Sequence, residues 1–74
     1  MTLDEGIAEI SGKIKEISES AEIKVVKMSE EEARLSVYAP AGEMGAIQDA
    51  TLMPTIELLN SDGLDIQVFV YESE

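Results

Sequence analysis

The sequence predicts an α+β domain of two layers: a three-stranded mixed sheet with two or three helices on one face, in the order α-β-β-α(α)-β. Three observations predict it. An apolar stripe at helical spacing opens the chain, a β-branched stretch and a second, alternating one flank an acidic break, and the last segment alternates in period two after a second helical region. With 74 residues, below the common domain size of about 100 to 150, there is room for one domain only, residues 1–74. An apolar content of 45% places it among chains that fold.

The first helix follows from Leu3, Ile7, Ile10, Ile14, Ile17 and Ala21, which recur at alternating spacings of four and three. Thr2, three residues ahead of Glu5, predicts a reciprocal capping box and hence the helix start. Gly6 and Gly12 each weaken such a helix by about 1 kcal/mol against Ala, so packing of the isoleucines must stabilise it.

From Glu22 to Met28 the helical period is lost, and after Ser29-Glu30-Glu31-Glu32 a second extended stretch runs from Ala33 to Ala39. These read as a hairpin. In the second strand Ala33, Leu35, Val37 and Ala39 point one way, and Arg34, Ser36 and Tyr38 the other. The first strand alternates poorly around Val25-Val26, which leaves its inward face open. Pro40 ends the ladder because it lacks an N–H.

Met44, Ile47, Ala50, Met53, Ile56 and Leu59 then recur in threes and predict a second apolar helix stripe. Pro54 lies inside it, and the expectation is a kink or two short helices meeting near Thr51. Asn60-Ser61-Asp62-Gly63 is a helix stop and turn. Leu64, Ile66, Val68 and Val70 alternate with Asp65, Gln67, Phe69 and Tyr71 as a final strand, set parallel to another strand by the helical crossover. If each helix has one stripe, both cover the same sheet face.

That arrangement leaves Tyr38, Phe69 and Tyr71, the only aromatic residues, on the side opposite the aliphatic core positions. Isolated surface aromatics are ordinary, whereas clustered ones mark a contact surface. These three are the candidate interaction residues. A core this small, without disulfides, also favours a homodimer.

Charge and composition close many function classes. Sixteen acidic residues face five basic ones, the net charge is -11, and no Lys or Arg follows Arg34. Nucleic acid and anionic membranes are therefore not expected partners, because both draw on Lys and Arg for affinity. No apolar run nears the roughly 20 residues that span a bilayer, and Asp4 and Glu5 do not fit a signal peptide, so the cytoplasm is the expected compartment. Without His or Cys there is no triad, thiolate nucleophile, Cys/His zinc site or cysteine-held cluster. Gly42 and Gly45 lack the company of a phosphate loop. No cofactor and no catalysis are expected.

Carboxylates suit calcium or magnesium, and Glu30, Glu31 and Glu32 are the candidate metal ligands of an alternative reading as a divalent-cation binder. A run of like charges is more simply a solvated hairpin turn. Asn60, Asp62 and Asp65 resemble part of an EF-hand loop, yet Gly63 is fourth where that loop needs its glycine sixth.

Two stretches carry a family likeness. Leu35-Ser-Val-Tyr-Ala-Pro-Ala41 resembles the second strand and cluster loop of the NifU-type iron-sulfur scaffold domain, and Thr51-Leu52-Met-Pro-Thr-Ile56-Glu57 resembles its Thr-Leu-x-x-x-Ile-Glu helix start. The likeness covers essentially the full chain, with about one residue of extra spacing between the stretches. The family's Cys-x-x-Cys falls on Ala41 and Met44, neither of which can hold iron in that manner. The resemblance thus implies a relative that kept the scaffold, cannot carry a cluster, and serves as an accessory or interaction module.

Overall fold

A computed structural model describes residues 1–73. Its elements are α1 (Leu3–Ile17), β1 (Glu22–Lys27), β2 (Glu32–Ala39), α2 (Ala41–Asp62) and β3 (Asp65–Glu72). The sheet order is β1-β2-β3, with β1 antiparallel and β3 parallel to β2. This is the expected mixed three-stranded sheet with its helices on one face.

The capping box starts α1. The Thr2 hydroxyl accepts the Glu5 N–H at 3.2 Å, and the Glu5 carboxylate accepts the Thr2 N–H at 2.8 Å. Leu3, Ile7, Ile10 and Ile14 are buried as the spacing predicts. Ile10 and Ile14 are wholly enclosed, each burial contributing roughly 1.5–3 kcal/mol. Gly6 is buried in close contact: a Cβ there would lie 2.9 Å from Ile66 Cδ1 and 3.4 Å from Leu64 Cδ1. Gly12 faces open space.

In the hairpin, Lys24 stands opposite Ser36 and Val25 opposite Leu35, which settles the face of β1. Ile23 and Val25 share the core side with Leu35 and Val37, and Val26 shares the open side with Arg34. Val25 nevertheless remains exposed. The reason is coverage, since α1 packs on α2 and β2, and α2 packs on β3, leaving β1 the least roofed strand. Lys27 pairs with Asp4 and ties that strand to α1.

The second helix corrects two expectations. It runs through Pro54 as one helix of 22 residues, not as two short helices meeting near Thr51. The proline withholds a donor from the Ala50 carbonyl, but Ile47 and Thr51 before it and Leu58 after it are buried on one side, and that packing holds the turns together. The Thr51 hydroxyl donates to the Ile47 carbonyl at 2.9 Å, and Thr55 donates likewise to Thr51 at 2.8 Å. The stripe in threes is also not what packs: Ile47 is buried, while Met53, Ile56 and Leu59 are exposed. Steps of three residues turn about 300° and drift around the helix, so such a series cannot stay on one face. The single stripe expected of this helix is in fact two, one inward and one outward.

Gly63 ends α2 in the left-handed conformation, φ 68°. Leu64 and Ile66 are buried, and Val68 and Val70 half-buried, on the helix side of β3.

Candidate functional site

The face of the sheet away from the helices is built by strand alternation. Parallel register sets Arg34 beside Gln67, Ser36 beside Phe69, and Tyr38 beside Tyr71. Antiparallel register adds Val26, Lys24 and Glu22 to the same three rows. Neither helix covers this face, because the inward positions of all three strands carry the aliphatic residues on which the helices lie.

The structure brings Tyr38 and Tyr71 together. Their ring centroids are 5.4 Å apart and their planes 25° from parallel, a stacked pair. Phe69 lies one row away. Tyr38 is half-buried, whereas Phe69 is 40% and Tyr71 46% exposed. Two cations lie over these rings: Lys24 Nζ is 5.4 Å from the Tyr38 centroid, and the Arg34 guanidinium carbon 5.2 Å from that of Phe69. Periodicity places the aromatics on this face, but not the cations over them, which needs the register of three strands.

At one end Gln67 Nε2 donates to Glu32 at 3.4 Å and reaches Asp65 at 3.5 Å. At the other, a depression of about 610 Å³ is lined by Ser20, Glu22, Tyr38, Glu72 and Ser73. The surface is an apolar, cation-capped strip with acidic ends.

The other candidate residues are placed differently. Glu30 and Glu31 are exposed in the hairpin loop, where the Ser29 hydroxyl accepts the Glu31 N–H at 3.2 Å, while Glu32 begins β2 and engages Gln67. Among the described residues no group of three or more His, Cys, Asp or Glu side chains, Glu30, Glu31 and Glu32 included, is gathered so as to hold a metal ion. Asp62 instead accepts the Ser61 hydroxyl at 2.7 Å and pairs with the terminal amine of Met1 at 3.0 Å. Ala41 and Met44, which correspond to the cluster cysteines of the resembled family, form the first turn of α2, Ala41 exposed and Met44 half-buried.

One surface escapes the sequence reading: Leu52, Ile56 and Leu59, at i, i+4 and i+7, form an exposed outward stripe on α2, flanked by Met53. Its signal was the spacing of four and three, masked by the competing series in threes. Among the described residues no helix is long and apolar enough to cross a membrane. Compared with protein-family models, with curated proteins and with solved structures, the chain has no match.

Proposed function

We propose that this protein is a non-catalytic, cytoplasmic interaction module that docks onto a protein through the open face of its sheet. The observation that carries the reading is the strip of Tyr38, Phe69 and Tyr71, overlain by Lys24 and Arg34, on a face that neither helix covers. Aromatic and Arg side chains dominate the energetics of protein interfaces, the aromatics because they bury much area while losing few rotamers, Arg because its planar fork stacks on rings and makes several hydrogen bonds at once. A flat sheet face offers such rings to another flat surface, including a second copy of the chain. The resemblance of Leu35–Ala41 and Thr51–Glu57 to the NifU-type scaffold supports the same reading, since a scaffold with Ala41 and Met44 in place of thiols retains its surfaces and not its cluster.

The test is to replace Tyr38, Phe69 and Tyr71 by serine and compare the variant with the parent by sedimentation and by capture from native extract. Association of the parent that disappears in the variant is expected. A parent that stays monomeric at all concentrations and captures the same proteins as the variant would sink the reading.

A further inference from the structure

Being outermost in the sheet, β3 leaves one edge unpaired among the described residues. The Asp65 N–H donates to the Glu31 carbonyl at 2.7 Å and the Ser73 N–H to that of Ala39 at 2.9 Å, so the odd-numbered residues of β3 turn their backbone groups toward β2. By the two-residue period of a strand, Gln67, Phe69 and Tyr71 do the same, and Ile66, Val68 and Val70 present their N–H and C=O groups to the open edge. Sheet edges are normally guarded by charge or proline. The other edge strand carries Lys24 and Lys27, whereas no charged residue and no proline stands between Asp65 and Glu72.

The outward stripe of α2 lies along this edge. Pro54, Glu57, Leu58 and Ser61 share a groove with Glu9 and Lys13 and so mark the side of α2 that meets α1. At 100° per residue, Leu52, Ile56 and Leu59 fall about half a turn away. Because α2 lies on the outermost strand and α1 on its inner side, these residues, 57%, 41% and 50% exposed, project past β3. Charge adds a third feature. From residue 35 onward there is no basic side chain, and Asp49, Asp65 and Glu72 bound this flank.

We infer that the β3 edge is a docking site for an extended basic peptide segment of another protein, added as a fourth strand with alternating apolar and Lys or Arg residues. Its apolar side chains would lie on the helix side against Leu52, Ile56 and Leu59. Its cations would lie on the open side near the Asp65 carboxylate and the Tyr71 ring face turned away from Tyr38, the Phe69 ring being already overlain by Arg34. A second copy of this chain is the poorer occupant, since its own β3 brings more acid to an acidic flank. The site adjoins the open-face strip at Tyr71, but it rests on the backbone edge of β3 and the outward stripe of α2, neither of which that strip uses.

Amide hydrogen exchange followed by NMR, in about 0.15 M salt, tests this with a synthetic octapeptide of alternating lysine and valine. Saturable binding should slow exchange at Ile66, Val68 and Val70 far more than at Gln67, Phe69 and Tyr71, which gain only the general stabilisation of a bound fold. The double variant Leu52→Ser, Leu59→Ser changes only exposed side chains and should weaken binding at least about tenfold. A peptide of alternating glutamate and valine, or the lysine peptide N-methylated at every residue so that neither of its edges can pair, should fail to bind. No saturable binding, binding without slowed exchange at those three amides, or binding indifferent to N-methylation would each overturn the inference. So would sedimentation showing a dimer in which the same amides are already protected, which would make a second copy the occupant.

Discussion

Tyr38 and Tyr71, 33 positions apart in the chain, stand side by side across β2 and β3 with their rings stacked at 5.4 Å. Their partners come from the same register, with Lys24 over Tyr38 and Arg34 over Phe69. The pair is therefore both part of the candidate docking strip and a clamp between parallel strands. A double-mutant cycle of Tyr38→Ala and Tyr71→Ala should return a coupling of about 0.5–1.5 kcal/mol, toward the lower figure because the rings are partly solvated. Additive urea-melt losses would show that the stacking contributes nothing.

Two glycines of α1 should respond in opposite directions. Gly12→Ala introduces a methyl group into open space within a helix and should stabilise by about 0.5–1 kcal/mol. Gly6→Ala places its Cβ against the side-chain ends of Ile66 and Leu64, both buried, and should cost about 1 kcal/mol net despite the same gain in propensity. Chemical denaturation of the two variants checks the sign. Equal stabilisation would mean that the contact between α1 and β3 is looser than described.

Ionisation at the helix ends gives two pH windows. The Thr2 N–H holds the Glu5 carboxyl below its ordinary 4.5, so the capping box is at full strength above that pH and is lost as pH falls through the lowered folded value. The difference in stability between parent and Glu5→Gln should accordingly shrink on acidification. The Met1 amine is raised above 8.0 by its bond to Asp62, so that link is fully present below pH 8.0 and is lost as pH rises through the raised value. The Asp62 carboxyl, held low first by the Ser61 hydroxyl and then by the amine, stays ionised throughout that alkaline range. The stability difference between parent and Asp62→Asn should therefore narrow above pH 8.0. Thermal melts across both ranges would show it, and differences independent of pH would contradict it.

Salt should stabilise the fold. A net charge of -11 on so small a chain repels itself, and between about 0.01 and 0.15 M salt the screening length falls from about 30 to about 8 Å. The melting midpoint should rise over that interval. A midpoint that stays level or falls would show that the few cation contacts, weakened by the same screening, outweigh the repulsion.

Local pattern alone determined the element order, the capped first helix with its buried isoleucines, and the side of the sheet that carries Tyr38, Phe69 and Tyr71. These depend on spacing along the chain, on periods of 3.6 and 2, and need no knowledge of neighbours. Tertiary structure decided what is near what. The helix through Pro54 survives because packing on both sides of the proline overrides a local preference to break. Ile47, Thr51 and Leu58 face inward while Leu52, Ile56 and Leu59 face out, because α1 and β3 occupy only one side of a helix that is apolar on two. The placing of Lys24 and Arg34 over the rings depended on the pairing of three strands, a nonlocal alignment that no spacing along a single strand encodes.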